Sequence, residues 1–178
     1  MIEPRKKKVA FLLGDEFEDS EMVNPYEAIT KNGHEAIIIS LERGVDLRGK
    51  NGTITYKSHL AAREADPSDY DAVIIPGGKS PAHLLDSEDV IAFVTGMDKD
   101  GKTIAAICHG PQLLVKAGLL DGRNLTAYPQ LHAEINDAGG RFIDKAVVVD
   151  NNLITSRTPE DEPFFIEETI NKLGVAAY

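Results

Sequence analysis

The 178-residue chain predicts an α/β sandwich: a mainly parallel central sheet with helices on both faces. Three observations carry that expectation. Short apolar runs of strand length recur, amphipathic segments separate them, and turn signals mark the joins. The runs fall at residues 9–13, 36–40, 72–75, 103–107 and 146–149. Helical spacing covers 20–31, closed by Asn32-Gly33, then 87–99, closed near Gly101. Further helices are expected at 111–117, 130–138 and 163–173. Pro25 either kinks the first helix or opens it late with Asn24 as its cap. Two stretches break the alternation, with Asn51-Gly52 and Asn151-Asn152 each set between extended segments as in hairpins.

Composition narrows the function classes. A chain of 178 residues fits one domain with a self-sufficient core, so residues 1–178 are expected to form a single unit. With 19 Lys+Arg against 29 Asp+Glu the net charge is −10, which disfavours nucleic acid and anionic membrane surfaces as partners. No run approaches the ~20 apolar residues of a membrane span. The basic lead-in Arg5-Lys6-Lys7-Lys8 has no signal-peptide core behind it. One Cys cannot form an internal disulfide, so a reducing, cytoplasmic compartment is the simplest expectation.

Ligands of parallel sheets collect at the carboxyl ends of strands, so the junctions there are where chemistry is expected. After the run 103–107 the chain reads Cys108-His109-Gly110-Pro111, with Ala106 two residues before the Cys and Gly110 two after. That is the pattern of a nucleophile elbow, in which small residues flank a nucleophile on a tight strand-to-helix turn. A free thiol of pKa ~8.5 is only a few per cent ionised at pH 7, and lowering it to ~5.5 requires about 4 kcal/mol. A helix terminus supplies at most ~2 kcal/mol, so another group must help. Adjacent residues on a helix point about 100° apart, which favours the backbone N–H of His109 over its ring.

Two further junctions complete the candidate site. The acidic stretch Asp15-Glu16-Phe17-Glu18-Asp19-Ser20-Glu21 follows the first run. Asp19 and Ser20 suit helix capping, whereas one carboxyl turned inward would be protonated by burial and could donate to the sulfur. The paired Gly77 and Gly78 after 72–75 can present backbone N–H groups to an oxyanion facing Cys108. Gly78-Lys79-Ser80 is not a phosphate loop, because Val73 stands where the upstream Gly belongs and Pro81 opposes a helix start. The five His are scattered without a metal-binding pattern, so neither a metal nor a cofactor is expected.

Together Ala105-Ala106-Ile107-Cys108-His109-Gly110-Pro111, Pro76-Gly77-Gly78 and Glu16-Phe17-Glu18-Asp19 resemble the PfpI family. This is the intracellular protease, deglycase and glyoxalase III-like group of the class I glutamine amidotransferase-like superfamily. The similarity runs end to end, through Tyr128-Pro129 and Ser156-Arg157-Thr158-Pro159. It implies a flavodoxin-like sandwich that forms homodimers or hexamers. It also implies Cys108 as nucleophile, Glu18 as the buried acid touching it, and Gly78 and His109 as oxyanion donors. Tyr128 would line the pocket and Arg157 its rim. Ala82 stands where the family's proteases carry an acid that completes a triad across a subunit interface, with His83 beside it.

The resulting expectation is a cofactor-free, cysteine-dependent stress-protection enzyme. Its substrates would be small carbonyls such as methylglyoxal, or glycated amines and thiols. The alternatives are a cysteine peptidase or amidase, which Ala82 weakens, and a redox-sensing or chaperone-like protein.

Overall fold

The computed structural model describes residues 6–174, so Met1–Arg5 of the basic lead-in lie outside them. The chain runs β1 (Lys8–Leu12), α1 (Asp19–Lys31), β2 (Glu35–Ser40), β3 (Asp46–Arg48), β4 (Thr55–Lys57), β5 (Leu60–Ala61) and β6 (Ala72–Ile75). It continues through α2 (Ser80–Leu84), α3 (Glu88–Lys99), β7 (Thr103–Ile107), α4 (Gln112–Lys116), β8 (Asn124–Leu125) and α5 (His132–Asp137). Then follow β9 (Arg141–Phe142), β10 (Val147–Asp150), β11 (Leu153–Ser156) and α6 (Glu162–Leu173).

Seven strands form the central sheet in the order β10-β11-β7-β6-β1-β2-β5, parallel except for the β10–β11 pair. Side-chain alternation sorts the apolar runs onto two faces. Ala10, Leu12, Val73, Ile75, Ile104 and Ala106 pack with Phe93 and Val94 of α3 and Leu113 of α4. Val9, Phe11, Ala72, Ile74, Ala105 and Ile107 pack with Met22 and Ile29 of α1 and Phe165 of α6. The expected sandwich, mainly parallel with helices around it, is what the chain forms. Among the described residues no helix is long and apolar enough to cross a membrane.

Both expected hairpins are present, as β3–β4 and β10–β11, with Asn151 at φ 54° in the second turn. Three local expectations are corrected. Pro25 does not delay α1: the helix opens at Asp19 and carries Pro25 inside. Asp19 and Ser20 are not its caps. Glu18 occupies that position without a side-chain bond, while Ser20 Oγ donates to Glu162 at 2.6 Å. Pro81 does not bar a helix; it sits in the first turn of α2, where the missing N–H is no loss.

The strand order has its switch point between β1 and β6. The chain leaves β1 for β2 on one side and returns to β6 on the other. A crevice opens at the carboxyl ends of strands at such a point. Residues 14–18 after β1, 76–80 after β6 and 108–111 after β7 all converge there.

Candidate active site

Cys108 leaves β7 in the left-handed region, at φ 61°, where a non-glycine side chain is strained. The turn is held by the Cys108 N–H donating to Ser156 O at 3.0 Å and by Tyr128 N–H donating to Cys108 O at 2.9 Å. Gly110 is required by close approach, since a Cβ there would stand 2.5 Å from the Ile75 carbonyl oxygen. The elbow expected from Ala106, Cys108 and Gly110 is thus the observed backbone. Cys108 is 7% exposed.

The left-handed φ also changes the place of His109. Its Nδ1 lies 3.4 Å from the Cys108 sulfur. The 100° separation expected of neighbouring helical residues does not apply, because Cys108 is not helical and α4 begins four residues later. Burial lowers the His109 pKa, against Glu134, so the ring is neutral at pH 7. It stacks on Tyr128 with centroids 4.5 Å apart and planes at 24°.

The segments after β1 and β6 are zipped together. Lys79 N–H donates to Glu16 O at 2.9 Å, and Gly14 N–H donates to Ser80 Oγ at 2.8 Å. Gly78, at φ 73°, bridges to Phe17 and aims its backbone N–H at the Cys108 sulfur, as does the N–H of His109. The pair of glycines divides its work. Gly77 N–H is committed to Glu21 Oε1 at 2.8 Å and so does not face an oxyanion, contrary to the expectation for Gly77.

The buried acid is Glu21, not Glu18. Glu18, the residue before α1, keeps a fifth of its side chain exposed and pairs its Oε1 with Lys50 Nζ at 2.8 Å. Glu21, in the first turn of the helix, is fully buried beneath Gly77. Its pKa is pushed up to about 8 by burial, with Glu18 and Glu162 adding and the Gly77 N–H and Lys50 opposing. Glu21 Oε1 accepts from Gly77, and Oε2 has no hydrogen-bond partner. At neutral pH the carboxyl is mostly protonated. A signal for it exists in the sequence: Glu21, Pro25 and Ile29 share one helical face at i, i+4, i+8, and a carboxyl on an apolar stripe is the anomaly.

The thiol moves opposite to the expected lowering. Burial pushes it up to about 12, with the Glu21 charge next, against the Gly78 and His109 N–H donors. Protonation of Glu21 removes the second cause. Of the N–H groups following the elbow, Gly110 donates to Ile107 O and Gln112 to His109 O. Pro111 has none, so α4 adds no further donor to the sulfur.

Beside the sulfur lies an open cleft of about 650 Å³, whose lining includes Gly78, His109, Lys50, Glu16 and Ala82. Lys50 is the site residue that sequence reading missed. Glu16 accepts from His83 Nε2 or pairs with it at 2.9 Å, which fixes His83 at the outer wall rather than at the thiol. Tyr128 and Arg157 do not line this cleft. Tyr128 reaches the site through its bond to Cys108 O and its stack on His109. Arg157 is held by Asp161 at 2.9 Å and Asp144 at 2.8 Å, which raise its pKa. Among the described residues no three metal-ligating side chains come together.

The likeness to known proteins covers nearly the whole chain. A protein of Escherichia coli named "Protein/nucleic acid deglycase 2" is 41% identical over 169 residues, which are 94% of this chain and 98% of that protein. "General stress protein 18" of Bacillus subtilis is 41% identical over 165 residues, 92% of this chain and 96% of that one. Among solved structures, an Anabaena variabilis protein with DJ-1/ThiJ/PfpI-like and ferritin-like domains superposes with a TM-score of 0.93 at 36% identity. The match covers 95% of this chain but only 48% of that two-domain protein, so the chain spans about half its length. The pattern of the DJ-1/PfpI family matches residues 7–172, and the chain belongs to that family.

Proposed function

We propose that the chain is a cofactor-free, cysteine-dependent enzyme of reactive carbonyls. It would convert small α-oxoaldehydes to hydroxy acids, methylglyoxal to lactate, and release amines or thiols from their early glycation adducts. One observation carries the reading: the Cys108 sulfur sits on a strained elbow between two backbone donors, with a neutral, buried Glu21 carboxyl packed against the same glycine turn. The names of the relatives, a deglycase and a stress protein, are consistent with it.

The sulfur attacks the aldehyde carbon. The S–C bond forms as the carbonyl π pair moves to oxygen, where Gly78 N–H can receive it. The thiol proton, given up to His109 Nδ1 as the sulfur ionises for attack, passes on to that oxygen and completes a hemithioacetal. A carboxyl with a pKa near 8 is partly ionised near neutrality, so Glu21 suits both directions of proton transfer. As carboxylate it takes the proton from the sulfur-bearing carbon, leaving an enediolate whose hydroxyl proton moves to the neighbouring oxygen as the next step completes. Returned to the neighbouring carbon, the proton yields a thioester of lactate, and water frees lactate and the thiol. Methylglyoxal and one water are consumed per lactate.

Ala82 in the cleft lining, in place of an acid, disfavours the peptidase alternative. Burial of the thiol, only 7% exposed, disfavours a sensor, whose oxidation follows exposure. Self-association and a reducing compartment belong to the same reading. The deciding experiment counts lactate made from methylglyoxal by fully reduced protein, beside Cys108→Ser and Glu21→Gln. Many turnovers lost in both variants are expected. One equivalent of aldehyde consumed without lactate would overturn the reading.

A further inference from the structure

The β3–β4 hairpin lies outside the central sheet and is laid across the segment after β1. Arg48 N–H donates to Asp15 Oδ1 at 2.9 Å, Glu16 N–H to Arg48 O at 2.8 Å, and Lys50 N–H to Phe17 O at 2.9 Å. Gly49 permits this contact, because a Cβ there would run into the Asp19 carboxylate and stand 3.2 Å from the Phe17 ring. The tip of the hairpin therefore carries Lys50 to the same cleft that Gly78 and His109 line. Its ammonium is latched by Glu18 Oε1 at 2.8 Å, with about half of the lysine side chain in solvent.

The charged and titratable groups around the sulfur come from several elements. Glu18 and Glu21 belong to the start of α1, with Glu162 of α6 behind Glu21. His109 belongs to the elbow, with Glu134 of α5 behind it and Tyr128 stacked upon it. Lys50 comes from the hairpin; the other lysine of the cleft, Lys79 just before α2, is three-quarters exposed and lies 3.8 Å from Glu16 Oε2. The Lys50 charge is felt by Glu21 and His109, and Glu18, Glu21 and Cys108 all act to keep its proton on.

We infer that Lys50 is a positioning residue of the thiol chemistry: its ammonium, held over the cleft by Glu18, is the counter-charge against which negative charge develops on Cys108. Glu18 sets how much of that counter-charge the sulfur feels. This rests on the cysteine-dependent reading above only in taking ionised sulfur as the attacking species.

The test is alkylation of the reduced protein by iodoacetamide between pH 6 and 10, with Cys108→Ser as the blank. Thiolate displaces iodide there, forming the S–C bond as C–I breaks, and no carbonyl turnover is needed. Lys50→Met is expected to slow alkylation about tenfold at pH 7.5, equivalent to one unit in the thiol pKa. Lys50→Arg restores most of the rate. Glu18→Gln keeps an oxygen acceptor for the ammonium while removing a negative charge, so it is expected to speed alkylation. Salt should shrink the wild-type advantage over Lys50→Met, because the lysine is half in solvent.

Equal profiles for wild type and Lys50→Met would overturn the inference. So would equal slowing by Lys50→Met and Lys50→Arg, which would mark a structural role. Slower alkylation in Glu18→Gln would overturn the part assigned to Glu18. A shifted profile with no lactate formed would instead remove the carbonyl reading and leave Lys50 in place.

Discussion

Glu21 and Cys108 meet across a glycine. A Cβ on Gly77 would stand 2.6 Å from Glu21 Oε1 and 2.8 Å from Cys108 Cβ, with the Ile107 carbonyl oxygen at 2.9 Å. No larger residue fits between the carboxyl and the thiol without moving one of them. Gly77→Ala is therefore expected to lower lactate formation at least ~100-fold, the scale of a lost acid–base contact, and to lower the melting temperature as well. Kinetics beside a thermal melt would check both.

The two carboxyls one turn apart should separate in their effects. Glu21→Gln retains an oxygen to accept from Gly77 N–H, so it is expected to fold while losing ~100-fold or more in turnover. Glu18→Gln, which touches Lys50 and not the thiol, is expected to cost far less. Comparable losses in the two variants, measured as kcat/KM, would reject the assignment of the proton transfer to Glu21.

The raised Glu21 pKa also makes stability depend on pH. The folded state holds a proton there up to about 8, whereas the unfolded chain releases it near 4.5. The folded form thus binds more protons between these values, and stability falls as pH rises from about 4.5 to about 8. Glu21→Gln removes this dependence. Urea titrations at pH 5 and pH 8.5 should show the variant gaining on wild type at the higher pH, by on the order of a few kcal/mol.

His34 ties the two ends of the described chain together. Its Nδ1 accepts from Lys7 N–H at 3.0 Å ahead of β1, and its Nε2 pairs with Gly174 O after α6. The ring is 3% exposed. His34→Ala removes the partner of the half-buried Lys7 N–H and of the Gly174 carbonyl, and should cost ~1 kcal/mol in chemical denaturation with lactate formation per folded molecule unchanged.

Arg157 serves as a control for placement. Its guanidinium is committed to Asp161 and Asp144, away from the cleft. Arg157→Lys loses the bidentate geometry and is expected to lower the melting temperature by a few degrees with little change in kcat/KM. A large rise in KM would return Arg157 to the pocket rim.

The sequence by itself determined the sheet, both hairpins and the elbow. Each of these is local: a run of four or five apolar residues, an Asn-Gly or Asn-Asn join, or small residues two before and two after Cys108 states its own conformation. The end-to-end likeness to the family rests on the same local words. Tertiary structure decided which carboxyl is buried, where the Cys108 neighbour points and what the hairpin delivers. Glu18 and Glu21 both fit the apolar face of α1 with Met22, Pro25 and Ile29. Only the docking of the glycine turn shows that Glu18 lies before the helix, in extended backbone, and Glu21 beneath Gly77. His109 reaches the sulfur because residue 108 adopts φ 61°, a strain the surrounding strands impose. Lys50 enters the site from an excursion 58 positions before the thiol in the sequence. Periodicity records the phase of one element at a time, whereas burial and charge at a site depend on several elements meeting at once.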